Sequence, residues 1–257
     1  MSEIRKVQEK GSATRGVARF LVGEKPPEEL YDTQNDPHEM HNLLDDPNYA
    51  EVLERMREAH LEWVLETRDL GLVPESEINA REKELGSAWA ILNESPDADK
   101  FMEQLRFAAK LSTEGPDVYA PMFVLLTHPE ATFRYWAAVS LGNMGTAAVD
   151  AEEKLTEMAK DDKSECVRIA AARALCRMDK PQEALPHLID VLDNGTQWAR
   201  VHAANVLDEL DEQALPVIEG MRRNKAYRKG FVADGKYTVR VLNRALNELE
   251  GTNHTVP

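Results

Sequence analysis

Apolar and polar positions in the second half of the chain recur with a period of just over thirty residues. An arginine is followed at three and four positions by an Ala-Ala pair, at seven by Leu, and at ten by Met or Leu. The three arginines are Arg134, Arg168 and Arg200, which gives spacings of 34 and 32 residues. A fixed period of this size is typical of stacked helix pairs, none of which buries its apolar face alone. The pattern therefore predicts a helical solenoid.

Prolines and glycines mark where the paired helices begin and turn. Pro116 and Pro181 suit helix starts, whereas Gly145 and Gly195 suit turns. The last unit has Leu242 in place of the first alanine of the pair, as expected of a terminal repeat that caps the stack. The predicted helices cover residues 97–112, 116–127, 130–143, 147–160, 164–178, 181–193, 196–210, 213–225 and 236–250.

The first 95 residues lack this period. Two short helices are predicted at 3–9 and 14–22, and one long helix at 47–68 with a continuous apolar stripe. Residues 28–32 form the one predicted strand, which is too short to make a sheet alone. We therefore predict two domains, residues 1–95 and 96–257.

The composition of the chain argues against several classes of binding partner. Hydrophobic residues make up 42% of the chain, and the formal net charge is -15. Such an acidic balance argues against a nucleic-acid or anionic-membrane partner, because phosphate affinity needs clustered Lys and Arg. No apolar run is long enough for a membrane span, and the polar N-terminus has no apolar signal core. As written, the chain would be cytoplasmic, and the sequence leaves its true compartment unknown.

Cysteines and tryptophans are predicted to be structural. Cys166 and Cys176 lie ten residues apart on one predicted helix, about 15 Å in rise, which is too far for a disulfide. Both are expected to be buried free thiols. The tryptophans are expected to pack in the core, with two of them between repeats: Trp63, Trp89, Trp136 and Trp198.

Two segments resemble known families. The cores VRIAAARAL and ARVHAANVL, with the paired helices and the period, resemble short bacterial HEAT-like repeats over residues 97–250. The segment EELYDTQNDPHEMHNLLDDPNY resembles the tail that follows the catalytic domain of bacterial sulfatases, where the pattern is LYDL…DPxExxNLA. This second resemblance extends over residues 1–95, with Thr33 and Leu44 departing from the pattern. The matching positions are Leu30, Tyr31, Asp32, Asp36, Pro37, Glu39, Asn42 and Leu43.

The sulfatase resemblance implies chemistry that this sequence does not contain. The family hydrolyses sulfate esters or sulfamates with a formylglycine made from a [CS]-x-P-x-R motif, assisted by calcium as a Lewis acid. Cys166 begins CVRIA and Cys176 begins CRMDK, and no Ser begins the motif. The resemblance thus implies a C-terminal sulfatase portion that is not an enzyme on its own and holds no cofactor, since calcium belongs to the catalytic domain. Family members are usually periplasmic or extracellular.

Two polar clusters in the sequence are candidate binding sites. His38 and His41, with neighbouring acids, resemble part of a metal site, but no third ligand has zinc-like spacing. A basic run in the last third is the local exception to the acidic balance, and Tyr227 and Phe231 interleave with it. It is a candidate anion contact for a sulfated glycan, or else a solvated loop beside acidic helix faces. Its residues are Arg222, Arg223, Lys225, Arg228 and Lys229.

Taken together, we predict an all-α chain: an α-solenoid of HEAT-like helix pairs preceded by a small, mostly helical sulfatase-tail segment with one short strand. The expected function is a non-catalytic C-terminal portion of a sulfatase, which packs on a catalytic domain or positions a sulfated polysaccharide or protein partner. The alternative is a free-standing HEAT-repeat adaptor for proteins.

Overall fold

A computed structural model describes residues 2–21, 26–226, 236–254 and 256. The chain divides into two compact units, Met1–Thr67 and Arg68–Pro257. This division groups residues 68–95 with the repeats, whereas the sequence pattern grouped them with the tail segment. The predicted boundary between residues 95 and 96 stays a prediction.

The first unit consists of short helices, a loop and one long helix. Asp46 caps the start of that long helical stretch, because its carboxylate accepts the N–H of Asn48 at 2.9 Å. Pro47 follows in the first helical position, where its missing N–H costs nothing. The helices of this unit are α1 (Ser2–Glu9), α2 (Arg15–Ala18) with a 3₁₀ turn (Arg19–Leu21), and α3 (Ala50–Thr67) after a 3₁₀ turn (Pro47–Tyr49).

Helices joined by short turns make up the described residues of the second unit, and the predicted helix pairs are present. Several second helices of a pair begin with a 3₁₀ turn. The α-helices are α4 (Glu75–Leu85), α5 (Ala90–Asn93), α6 (Ala98–Leu111), α7 (Tyr119–Leu125), α8 (Ala131–Met144), α9 (Glu152–Asp161), α10 (Glu165–Arg177), α11 (Pro181–Asn194), α12 (Gln197–Glu209), α13 (Ile218–Asn224) and α14 (Tyr237–Leu249).

The helices of the second unit stack in two rows. One row follows the order α6, α8, α10, α12 and α14, and the other contains α9, α11 and α13. Because α10 lies inside the stack, nine of its thirteen residues are buried. One continuous apolar core runs from α7 to α14. Nearest-neighbour packing of this kind is the solenoid that the repeat pattern predicted.

Small residues bring the α8 and α10 helices close together. The Ala pairs at residues 137–138, 171–172 and 203–204 are each fully buried or nearly so. Gly142 of α8 faces Ala174 of α10 so closely that a Cβ on residue 142 would lie 2.9 Å from the Ala174 Cα atom. The small residues Gly142 and Ala174 therefore allow the close approach of these two helices.

Two predictions about the N-terminal part are wrong. Residues 28–32 form no strand, and no strand occurs elsewhere in the described part of the chain. A lone segment has no ladder to join, and Leu30 instead bonds to residues 42 and 43 of its own loop. Trp63 and Trp89 are not core residues, since 53% and 64% of their surfaces are exposed.

Candidate functional site

The loop between residues 30 and 46 is held by side chains that accept hydrogen bonds from its own backbone. The Asp32 carboxylate accepts the N–H groups of Gln34 at 3.1 Å and Asn35 at 3.2 Å, as well as the Asn35 side-chain amide at 2.8 Å. These donors, the Asn35 amide above all, lower the pKa of Asp32. This arrangement is an Asx turn, which orders the chain without a strand or helix.

Asp36 and Asn42 continue the same scheme. The Asp36 carboxylate accepts the N–H of His41 at 2.7 Å. The Asn42 side-chain oxygen accepts the N–H of Leu30 at 2.9 Å and that of Leu44 at 3.1 Å. Leu30 is buried, and its carbonyl accepts a bond from the N–H of residue 43 at 2.8 Å. The residues that carry the sulfatase resemblance thus fix the shape of this loop.

Arg19 ties the preceding helical turn to the loop. Its guanidinium donates to the Tyr31 hydroxyl and to the carbonyl of Glu39. Glu39 has a φ of 54°, in the left-handed region that non-glycine residues seldom adopt. The sequence motif alone gave no sign of this arginine, because it lies outside the matched segment.

Helix α3 leaves part of its apolar stripe uncovered. Val64 is buried, but Met56 is 52% exposed and Trp63 is 53% exposed. Ala59, between them on the same helix face, is also exposed, and the His60 ring stacks on Trp63 with centroids 6.3 Å apart. Exposed apolar side chains grouped in this way are typical of an interaction surface.

The three repeat arginines brace the turns between helices. Arg134 forms a two-pronged ion pair with Asp162 at 2.7 and 2.8 Å, and it also donates to the carbonyl oxygens of residues 128 and 129. Arg168 lies near the carboxylates of Glu165 and Asp190, and Arg200 is fully buried and donates to the carbonyl of residue 192. Their role is structural, as the sequence predicted.

Both thiols are buried and free. Burial raises the pKa of Cys166 and of Cys176 to about 12. At neutral pH each therefore stays protonated and is a poor nucleophile. This agrees with the prediction of core thiols.

A polar cluster that the sequence did not reveal joins α4 to the repeat row. Glu77 of α4 accepts the hydroxyl of Ser164 at 2.5 Å, and Ser164 lies 3.2 Å from the Cys166 sulfur. One turn later, Arg81 contacts the Glu130 carboxylate and the Thr132 hydroxyl. Glu130 and Ser164 are the residues that precede α8 and α10. The sequence signal for this cluster was limited to a Glu and an Arg four residues apart on one helix.

The structure describes only part of the candidate anion contact. Arg222 pairs with Glu250 at 2.7 Å and also contacts Glu219, while Arg223 pairs with Asp193. Lys225 is exposed at the end of α13. Arg228 and Lys229 lie outside the described residues, as do Tyr227 and Phe231. The anion contact stays a prediction, and its two described arginines have carboxylate partners within the chain.

The histidine cluster forms no metal-binding group in the described part of the chain. His41 lies 3.4 Å from Asp36, whose carboxylate is already engaged by the loop backbone. Nowhere among the described residues do three His, Cys, Asp or Glu side chains gather as metal ligands would. Within those residues, too, no helix combines the length and the apolarity that crossing a membrane requires.

Comparison with known proteins gives the class of the second unit. A family model described as HEAT repeats matches residues 104–176 and 152–229. The matched ranges run from α6 to just beyond α13 and coincide with the stacked pairs. The chain therefore contains HEAT repeats arranged as an α-solenoid, as predicted.

A smaller part of the chain is similar to sulfatases. It is 50% identical over 42 residues to the uncharacterized sulfatase YidJ of Escherichia coli strain K12, and 49% identical over 41 residues to human N-sulphoglucosamine sulphohydrolase. It is 31% identical over 78 residues to an ulvan-active sulfatase of Formosa agariphila. These matches cover 16%, 16% and 30% of this chain and 8%, 8% and 13% of those proteins. No solved structure gave a significant match.

Proposed function

We propose that this chain is a non-catalytic portion of a sulfatase. In this proposal the first unit packs on a sulfatase catalytic domain through the exposed stripe of α3. The HEAT repeats then position a protein partner or a sulfated polysaccharide beside that domain. The formylglycine, its arginine and the calcium ligands belong to the catalytic domain, since the sequence contains no [CS]-x-P-x-R motif.

The observation that carries this proposal is the uncovered apolar surface of α3 in a chain related to only a small piece of much longer enzymes. The matched segments make up 8–13% of the sulfatases concerned. In those proteins most of the polypeptide is thus available to cover such a surface. Met56 and Trp63 supply flexible and aromatic apolar groups, which are common at protein interfaces.

The HEAT repeats favour a second candidate, a free-standing adaptor for protein–protein interaction. The second unit has its own continuous core, in which neighbouring helix pairs bury one another's apolar faces. In this alternative the sulfatase-related segment is a remnant of shared ancestry. The two candidates differ in whether the α3 stripe has a sulfatase partner.

The first test is the DNA on either side of the coding region. A reading frame with a C-x-P-x-R or S-x-P-x-R motif, upstream or adjacent, supports the sulfatase proposal and supplies the partner for the second test. Absence of any such frame favours the adaptor.

The second test is binding between the encoded catalytic domain and two glutamine variants of this chain. We expect Met56→Gln/Trp63→Gln to weaken the complex at least tenfold, because it removes the apolar stripe. The control Glu58→Gln/Glu62→Gln changes two exposed residues of the same helix to the same side chain. Calorimetry on the purified pair gives both affinities; equal affinities would refute the docking role of α3.

A further inference from the structure

The turn that joins α11 to α12 contains the one Asn-Gly pair of the sequence, Asn194 and Gly195. Asn194 is the last residue of α11, and its side chain is exposed. An asparagine before glycine is prone to deamidation, because a residue without a Cβ lets its backbone nitrogen reach the asparagine side-chain carbonyl carbon. The structure of this turn therefore controls how fast Asn194 reacts.

Packing of the turn requires glycine at position 195. Gly195 is buried, and a Cβ on this residue would lie 2.6 Å from the carbonyl oxygen of Val191 and 3.1 Å from a carboxylate oxygen of Glu165. Any side chain would therefore push the turn away from α10 and α11. The same close packing thus places the most reactive neighbour directly after Asn194.

Side-chain hydrogen bonds hold this turn closed. The Glu165 carboxylate of α10 accepts the N–H of Thr196 at 2.9 Å and the Thr196 hydroxyl at 2.5 Å. The Asp190 carboxylate accepts the side-chain amide of Asn194 at 2.8 Å. Arg168 lies 3.9 Å from the Glu165 carboxylate and 3.6 Å from that of Asp190. One guanidinium therefore supports both acceptors.

The nitrogen that would react is engaged while the turn is closed. The N–H of Gly195 donates to the Val191 carbonyl at 2.8 Å and completes the last turn of α11. Deamidation needs this nitrogen to lose its proton and to face the Asn194 side chain, so the bond to Val191 must first break. The reaction therefore requires a local opening of the turn.

We propose that Asn194 is a deamidation site whose rate is set by opening of the α11–α12 turn, and that Glu165 is the residue that keeps the turn closed. A base in solution removes the Gly195 amide proton, the nitrogen attacks the Asn194 side-chain carbonyl carbon, and ammonia leaves with a proton from water. Water then opens the resulting succinimide at either carbonyl group and gives aspartate or isoaspartate. The proposal goes beyond the proposed function and does not depend on it, because it concerns the repeats alone.

Deamidation would change the charge at the end of α11. The product has a carboxylate four residues after Asp190, where like charges on a helix repel one another. The negative end of the helix dipole also opposes a further acid. The bond from the Asn194 amide to Asp190 would be lost as well. The modified turn would therefore open more readily than the original one.

The experiment follows Asn194 by peptide mass spectrometry while the full chain is incubated at mildly alkaline pH. A synthetic peptide of residues 188–201 lacks Glu165 and gives the rate in the absence of the fold. We expect the wild-type chain to deamidate at Asn194 at least tenfold more slowly than this peptide. The Glu165→Ala chain should deamidate at least threefold faster than wild type, because Thr196 loses both of its bonds to α10.

The control variant Glu183→Ala removes an exposed carboxylate from the first turn of α11, and it should deamidate at the wild-type rate. Thr196→Val removes only the hydroxyl donor and should give a rate between those of wild type and Glu165→Ala. Urea unfolding shows that each variant is folded; if Glu165→Ala is not, Thr196→Val decides. Equal rates for the wild-type chain and the peptide would overturn the proposal, as would a wild-type rate in the deciding variant or an equal acceleration by Glu183→Ala.

Discussion

Asp32, Asp36 and Asn42 each direct an oxygen at N–H groups of their own loop, while Arg134 donates to two carbonyl groups of a turn. These side chains therefore stabilise the backbone of their loop or turn. A carboxylate in a motif is otherwise an obvious candidate for catalysis or metal binding. The sequence identified the residues of the loop, but only the structure assigns their bonds, because an acceptor and its donor are not adjacent in sequence.

His202 is the side chain with the clearest consequence for pH. Burial, and next the charge of Arg173, lower the pKa of His202 to about 4, and its ring lies 6.1 Å from that of Tyr135. A histidine in the unfolded chain has a pKa near 6.5. Because the folded pKa is the lower one, protonation favours unfolding, so its stabilising contribution is complete above pH 6.5 and is lost as pH falls toward 4.

We therefore expect His202→Gln to flatten the loss of stability between pH 6.5 and pH 4. In the wild-type chain this one residue contributes a slope of up to about 1.4 kcal/mol per pH unit within that window. Urea unfolding at a series of pH values measures it. Burial also lowers the pKa of His187, so His187→Gln serves as the comparison at a second site. Parallel curves for His202→Gln and wild type would show that the residue titrates normally.

At the scale of elements, the phase of the arginines and Ala pairs predicted the repeat helices to within a few residues. Three features were not predicted correctly from the sequence: residues 28–32 form no strand, Trp63 and Trp89 are exposed, and α4 packs against the repeat row. Each depends on what a segment packs against, and periodicity reports only that a face is apolar. The Glu77–Ser164 contact joins residues 87 positions apart, which no local pattern can show.

Because α8 and α10 lie so close together, we expect a Gly→Ala substitution between them to lower the stability of the fold, which is the opposite of its usual effect in a helix. Gly→Ala inside a helix ordinarily stabilises by about 0.5–1 kcal/mol. At Gly142 the added methyl would meet the α10 backbone 2.9 Å away, so we expect Gly142→Ala to destabilise by about 1–3 kcal/mol. Thermal and urea unfolding give the value.

An exposed position in the same row provides the comparison for that substitution. Asn205 lies in the middle of α12 and faces solvent, so Asn205→Ala should be neutral or slightly stabilising. A Gly142→Ala variant as stable as Asn205→Ala would mean that the two helices can separate without loss.

At the scale of the whole molecule, the sequence and structure together define HEAT repeats joined to a sulfatase-related segment. The resemblance came from eight positions in one loop, and the solenoid came from three phased units. The role of the combination could not be predicted at the same level, because it depends on which protein covers the exposed stripe of α3.

We expect the purified chain not to hydrolyse an aryl sulfate, with or without added calcium. The reason is chemical: the sequence has no motif for the formylglycine nucleophile, and both thiols are buried and protonated at neutral pH. Release of the coloured phenol is followed continuously, with a commercial sulfatase as the positive control. Turnover that persists after a second purification step would refute the proposal that this chain is non-catalytic.

The main contacts of the repeat row join adjoining helices, and α4 lies against three helices of that row, α8, α10 and α12. Gene duplication could therefore lengthen the stack by whole pairs, extending its reach while leaving every existing interface unaltered. New pairs added beyond α14 would pack on the far side of that helix, so lengthening at that end would create fresh surface and leave the contacts of α4 unchanged. Growth at the opposite end, next to α6, would instead have to accommodate the segment that carries α4.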